Sequence, residues 1–509
     1  MSAEKFKSKK GFILASIGAA VGLGNALRFP GLCAKYGGGT FLFIYFIALI
    51  VLGIPLLNAE IALGRKLKGA APTCMSALTS RRPKLGAAVG WTSCLNSLFT
   101  AVIYAGLAGW IISMIITIVP LSTAAPSLSR TQISQYFFQT TLNAAYDGGI
   151  HGISLIVAPC IIVAWVFMYL CLRGGAGTLA KAAKFTVAIP LMLLVFMAAR
   201  GLMYANSAQA LSALFTPDFS HLAEPELWIT ALGQVFFSLS VVVGIMPTYG
   251  SYLPEGTNIF TCSLIIAAAD FLVSVLASTV LFTTLYGCGL QSEISPSGIV
   301  TAFVIYPAAI TMLFGANTAL NAAVGVLFYS SLAMMAVQSA VSMLEAFLSP
   351  FAAARQKSKK SYALKICLIG GAISLIFATT AAPVIVDISD RFINFYNVLL
   401  LGIAECVLIA FSKKSRVLVE EINKFTKKLK MSQRLFNFSV KFASPLILTS
   451  LCVIEAISVA TVGFGYPPWL LFAFGIGASL TVFIVGACLS EFFAPKNNAA
   501  IFRGQVLTL

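Results

Sequence analysis

Asp270 lies inside the run IIAAADFLVSVLAS (265–278), where nothing else is charged. On insertion scales an ionised carboxylate at the centre of such a run costs about 2.5 to 3.5 kcal/mol. A cation held beside it offsets that cost; the structural alternatives are a protonated acid or a hydrogen bond to a neighbouring helix. Two other apolar stretches hold a matching supply of oxygen atoms. In GFILASIGAAVGLGNALRFPG (11–31), Gly18, Gly22 and Gly24 surround Asn25. In GQVFFSLSVVVGIMPTYGSYLPEG (233–256), Gln234, Ser238, Ser240, Gly244 and Pro247 crowd into one crossing. Glycine and proline loosen helical order, and the amides and carbonyls they free find no water at membrane depth. An ion or a zwitterion can satisfy them, and hard oxygen donors suit a hard cation. Close packing through small residues or a plain proline kink is the bland alternative.

The elements that position these residues are membrane helices. The chain has 509 residues, 59% hydrophobic and 10% charged, with a mean hydropathy of +0.93. A helix needs roughly 20 apolar residues to cross the hydrocarbon core. About twelve such runs occur, near 11–34, 40–64, 86–119, 152–172, 178–203, 228–253, 258–288, 321–349, 362–381, 391–411, 440–462 and 468–492. The first begins with KFKSKK and has no small-residue cleavage site before the second, so it reads as a retained helix.

A net charge of +17 invites a nucleic-acid reading, but its distribution argues against one. Basic residues crowd the N-terminus (Lys5, Lys7, Lys9, Lys10) and alternate loops: Arg65 to Lys84, Arg355 to Lys360, and Lys413 to Lys441. The loops at 120–151, 204–227 and 289–320 hold Arg130 and no other lysine or arginine. By the positive-inside rule both termini are cytoplasmic, in a plasma (inner) membrane, and twelve crossings have the right parity. The eleven cysteines lack CxxC or metal spacing and read as small apolar residues. His151 and His221 fall in outer loops, and no catalytic triad, metal spacing or nucleotide loop is present, so an enzyme is not expected. The polar groups converge on one midplane point instead of lining a path, which disfavours a channel.

The two interrupted helices are the first of two five-span halves, the pattern of a secondary transporter built from inverted repeats with a central site. The expected organisation is a cytoplasmic segment (1–10), a first repeat (11–203), an outer loop (204–227), a second repeat (228–412), a basic inner loop (413–439), two further helices (440–492) and a cytoplasmic tail (493–509).

Four stretches, in order, resemble motifs of the neurotransmitter:sodium symporter family, particularly its bacterial amino-acid transporters. They are AAVGLGNALRFP (19–30), GGGTFLFIYFIALIVLGIPLLNAEIALGR (37–65), YAGLAGW (104–110) and GQVFFSLS (233–240). The resemblance covers spans one to ten. It implies an all-helical leucine-transporter-type fold with a five-plus-five inverted repeat, and sodium-coupled symport of an amino acid by alternating access. A proton-coupled or exchanging transporter on the same fold, and a non-transporting amino-acid sensor, are the alternatives.

Carried onto this chain, the resemblance implies a substrate carboxylate at the Tyr104 hydroxyl and the backbone amides near Leu23 and Gly24, where a half-helix N-terminus favours an anion. The ammonium would meet carbonyls of Ala20, Phe237 and Ser238, with Ser240 nearby. Ala19, Thr100, Tyr104, Phe237, Val243, Ser339 and Met343 would line a side-chain pocket. No lining carboxylate or arginine is implied, so a neutral amino acid is expected, and Val243 in place of a bulkier aromatic leaves room for a medium or large side chain. A first sodium site would use Ala20, Asn25, Ser238 and Asp270; Ser238 stands for a commoner threonine and Asp270 for a common asparagine.

A second sodium site would use carbonyls of Gly18, Val21 and Met335 and the Ser339 hydroxyl, but Gln338 stands where the family usually has threonine. If the Gln338 carboxamide presents its NH₂ inward, it satisfies the Gly18 and Val21 carbonyls without an ion, and one Na⁺ is carried instead of two. Tyr45, Gln234, Ser238 and Ser274 resemble the chloride site of animal relatives, yet Asp270 already supplies a negative charge there, so no chloride requirement is expected. Arg28 and Asp390, with Tyr104 and Phe237, match the outer gate. The usual inner arginine and aspartate correspond to Ala3 and Ala353; Phe6 matches the aromatic of the N-terminal latch, with Lys5, Lys7 and Lys9 as candidate substitutes. The expected partners are a small amino acid and the lipid bilayer, with no nucleic acid, in a monomer or weak homodimer.

Overall fold

The first apolar run folds as two helices. In the computed structural model, which describes residues 5–493 apart from 80, 125–128, 146–148, 356–357 and 427–428, Lys9–Ala20 and Gly24–Lys35 meet at a bend of 50°. The sixth run is broken as well: Pro225–Ser238 and Ile245–Ser251 are separated by residues 239–244. Among the described residues nine continuous helices are long and apolar enough to cross a membrane. They are Gly39–Leu67, Pro83–Ala124, Ala176–Leu202, Ile259–Gly287, Thr318–Arg355, Lys359–Ala378, Ala382–Phe411, Gln433–Thr461 and Pro468–Phe492. Val157–Leu172 is a shorter apolar helix, and with it and the two broken helices the described elements fit the expected twelve spans.

The third and eighth spans are longer than their apolar runs, with 42 and 38 residues. They pack along each other and form the post beside which the broken helices stand. Spans eleven and twelve lie at the periphery, where Phe442, Leu446, Phe472 and Ile484 face outward. Such apolar exposure suits lipid as the surrounding medium.

Stretches read from sequence as plain loops contain helices of their own. Ala71–Leu78 follows span two, Ser207–Phe215 follows span five, and Ser415–Asn423 follows span ten. Between spans seven and eight, Gly298–Val300, Thr301–Ile305 and Tyr306–Met312 form an apolar lid over the outer half of span one. The Tyr306 hydroxyl donates to the Ala26 carbonyl at 3.2 Å, which fastens that lid. Trp110 of the YAGLAGW motif donates through Nε1 to the Phe377 carbonyl at 2.6 Å, so the motif ties span three to span nine.

Candidate substrate and ion site

The interruption in span six is held open by hydrogen bonds to three other helices. Ser240 and Val242 adopt φ of 52° and 62°, and Gly244 a φ of 75°. For β-branched Val242 this left-handed conformation is strained by about 1–3 kcal/mol. Glu60 of span two accepts from the Val242 amide at 2.6 Å. The Ser240 hydroxyl donates to the Ala19 carbonyl at 2.8 Å, and the Ser97 hydroxyl donates to the Val243 carbonyl. The Val242 amide and the Val243 carbonyl of the break are therefore satisfied inside the protein, as membrane depth requires. The glycines of span one permit close approach. A Cβ at Gly22 would lie 2.8 Å from Ser339 Oγ, and one at Gly24 would lie 2.7 Å from Phe237 Cε1.

Between the two breaks lies a cavity. Of the residues expected to meet a substrate, all line it except Leu23, whose side chain is buried outside it. The Tyr104 hydroxyl faces this space with no hydrogen-bond partner among the described residues. Ser97, Asn394 and Val398 also line it, a contribution from spans three and ten that the motifs did not announce.

Asp270 lies one layer behind, fully buried. Its Oδ1 accepts from Asn25 Nδ2 and from Ser238 Oγ, each at 2.7 Å, and its Oδ2 accepts from the Tyr45 hydroxyl at 2.9 Å. Asn25 Nδ2 also reaches Ser274 Oγ at 2.8 Å, while Asn25 Oδ1 accepts from the Gly22 amide at 2.9 Å. No lysine or arginine pairs with Asp270 among the described residues. Asn25 thus turns its NH₂ rather than its oxygen toward Asp270, and ligation of a hard cation there requires that carboxamide to reverse. Reversing the Asn25 carboxamide would bring its oxygen against the Asp270 oxygen, a repulsive contact unless a positive charge lies between them. Gln234, next to this cluster, is buried with both ends of its amide unpartnered.

At the second set of residues Gln338 dominates. Its Oε1 accepts from Thr186 Oγ1 of span five at 3.0 Å. Its Nε2 turns toward span one, where a Cβ at Gly18 would lie 3.2 Å from it. Sequence reasoning expected hydrogen bonds from this amide to the Gly18 and Val21 carbonyls. Neither forms, and Nε2 is buried without a hydrogen-bond partner. The Thr186 hydroxyl has drawn the carboxamide toward span five. Ser339 Oγ, against Gly22, is likewise buried and unpartnered, and Met335 is buried one turn earlier.

The outer pair is apart. Arg28 is exposed and makes no hydrogen bond or ion pair among the described residues, whereas Asp390 Oδ1 accepts from Asn394 Nδ2 at 2.8 Å. At the inner end Phe6 is buried, with its amide donating to the Tyr252 carbonyl at 3.0 Å and its ring packed on Phe12, Tyr249 and Tyr252. Ala353 is exposed and Ala3 lies outside the described residues. Of the candidate lysines, Lys5 reaches Glu255 at 3.6 Å, where Lys68 also pairs at 3.4 Å. These contacts hold the Glu255 carboxyl below the usual carboxylate range, first through the Lys68 hydrogen bond and then through the charge of Lys5. A buried network lies deeper: Glu345 pairs with Lys359 and accepts from the Tyr252 hydroxyl at 2.7 Å, and the Tyr252 oxygen also lies 2.7 Å from the Ser349 hydroxyl. Glu60, Glu345 and Glu405 are all buried carboxyls in apolar spans. The test applied to Asp270, a lone acid inside a hydrophobic run, flags each of them.

The family model for the Sodium:neurotransmitter symporter family matches residues 3–126 and 121–494. The chain belongs to that family. Members are sodium-dependent transporters, not enzymes, and this one is accordingly an integral membrane transporter. An uncharacterized sodium-dependent transporter of Methanocaldococcus jannaschii is 29% identical over 504 residues, 98% of this chain and 99% of the relative. The human sodium- and chloride-dependent transporter XTRP3 is 26% identical, over 87% of this chain and 86% of its own length. The mouse sodium-dependent neutral amino acid transporter B(0)AT3 is 32% identical over 55% of this chain and 48% of its own. Among solved structures, MhsT in complex with L-phenylalanine aligns with a TM-score of 0.74 over 88% of this chain and 99% of that one. At 23% identity that likeness carries the fold alone.

Proposed function

We propose that this symporter couples the inward movement of one Na⁺ to uptake of a neutral L-amino acid with a medium or large hydrophobic side chain. One observation carries the reading: Asn25 and Ser238 belong both to the Asp270 cluster and to the wall of the cavity. A cation among those oxygens touches the substrate carboxylate, so each ligand strengthens the binding of the other by the same factor. Among the described residues no lysine, arginine, aspartate or glutamate lines the cavity, which favours a neutral side chain. The mouse relative named for neutral amino acids and the phenylalanine in MhsT support the same class.

Tyr104 takes the carboxylate, Ala20, Phe237 and Ser238 take the ammonium, and Arg28 and Asp390 close over the top. The second site carries no ion, because Gln338 fills the space beside Gly18. Chloride is not required, because Asp270 supplies the negative charge among Tyr45, Gln234, Ser238 and Ser274; a second anion 4 Å away would be repelled by about 4 kcal/mol at a moderate dielectric. The protein sits in the plasma membrane with both termini cytoplasmic. Proton coupling is the second reading, favoured by an Asp270 that lacks a basic partner. Reconstituted uptake of the common amino acids under separately imposed sodium and proton gradients tests both. Equal binding of substrate in sodium and in choline refutes the sodium reading.

A further inference from the structure

Span ten carries Asp390, Asn394 and Asn397 at spacings of four and three, on one face of the helix. Its stretch Asp390–Tyr396 is wound as a π-helix, a form that concentrates at functional sites. Span three grips it there: Asn96 Nδ2 donates to the Ile393 carbonyl at 3.0 Å, and Asn397 Nδ2 donates to Asn96 Oδ1 at 3.0 Å. Asn394, 8% exposed, faces the cavity beside Thr100. Its Oδ1 accepts from Thr100 Oγ1 at 2.6 Å, and its Nδ2 donates to Asp390 Oδ1 at 2.8 Å. Chemistry fixes that orientation, since an ionised carboxylate only accepts and the amide nitrogen must face it.

We propose that Asn394 is a positioning residue that holds the gate carboxylate of Asp390 away from Arg28 and links its release to the pocket wall at Thr100. The proposal rests on reading Arg28 and Asp390 as the outer gate. Asn394 is the only hydrogen-bond donor to Asp390 among the described residues, and Arg28 is unengaged. Closing the gate therefore exchanges an amide donor for a guanidinium. A side chain that packs against Thr100 disturbs the hydroxyl that anchors the other end of Asn394. Closure is then favoured when the pocket is filled and resisted when it is empty.

Equilibrium binding of each tritiated neutral L-amino acid to the purified full chain, at saturating Na⁺, tests this. Asn394→Leu should lower Kd about tenfold, equivalent to about 1.4 kcal/mol, while slowing uptake, because closure no longer competes with the amide. Asp390→Asn should raise Kd, and in that background Asn394→Leu should change nothing, the mark of a residue acting through another. Thr100→Val, which keeps the side-chain shape, should lower Kd about threefold and decides the matter if Asn394→Leu fails to fold. A rise in Kd for Asn394→Leu in both backgrounds, or an unchanged Kd for folded Thr100→Val, overturns the proposal. An unchanged Kd for Asp390→Asn, or no binding of any amino acid tested, overturns the gate or substrate reading instead and the proposal with it.

Discussion

Gln338→Thr should convert one-ion coupling into two-ion coupling. The substitution removes a buried NH₂ that has no hydrogen-bond partner, which ordinarily costs about 1–3 kcal/mol. It also removes the carbonyl that accepts from Thr186, but the single Thr186 hydroxyl proton, now shared, can go wholly to the Ala182 carbonyl at 3.0 Å. The lost bond is worth about 0.5–1.5 kcal/mol. The first effect exceeds the second by about 1 kcal/mol, which the void left by the shorter side chain offsets, so the variant should fold with a melting temperature close to that of the parent. What changes is the space beside Gly18, where the threonine hydroxyl joins the unpartnered Ser339 Oγ. Each Na⁺ that moves down 100 mV contributes about 2.3 kcal/mol. At 1.4 kcal/mol per tenfold, a second ion raises the attainable accumulation about 50-fold before any chemical gradient is counted. Uptake into proteoliposomes at fixed potential, followed against sodium concentration, reads this directly. The parent should give a Hill coefficient near one and the variant a value approaching two, with substrate selectivity intact. A parent coefficient near two, or an unchanged coefficient in a well-folded variant, refutes the reasoning.

Asp270→Asn should weaken sodium binding at least tenfold and make uptake respond to chloride, because the cluster loses its charge while Asn25, Ser238 and Tyr45 still point at it; unchanged sodium affinity in a titration of uptake would reject this. At the inner end, Glu345→Gln should loosen the closed state far more than Glu255→Gln. Breaking a buried pair costs about 3–5 kcal/mol, and Glu345 is 0% exposed. The Glu255 carboxylate is 79% exposed, where water and salt screen an ion pair and it contributes little. Hydrogen exchange over Lys9–Ala20 should accelerate about 100-fold in the first variant and little in the second, and equal acceleration would place the closure at Lys5 and Glu255. The Glu255 contact should persist at mildly acid pH. A carboxyl held below its usual range keeps its contribution at neutrality and loses it only as pH falls through that lowered value.

The broken helices and the acid behind them were legible in the sequence because membrane depth makes such residues expensive. Glycine, asparagine and aspartate inside apolar runs are rare enough that each asks for a partner, and those in spans one, six and seven find one another. The same test, applied to every span, points to Glu60, whose carboxylate holds the strained Val242 amide. Applied to polar residues as well as charged ones, it points to the Asp390, Asn394, Asn397 face of span ten. What spacing could not supply is the direction in which a carboxamide turns. Whether Gln338 bonds to span one or to span five depends on Thr186, far away in sequence, and a single hydroxyl there was enough to pull the oxygen across. Helix ends were hidden for a related reason. The apolar run stops where lipid stops, but spans three and eight continue as helices past it, to 42 and 38 residues. Hydropathy therefore locates the solvent boundary, and packing between neighbouring helices decides where the backbone unwinds. In this chain the two diverge most in spans one and six, where the backbone unwinds in the middle of the membrane and side-chain oxygens take the place of water.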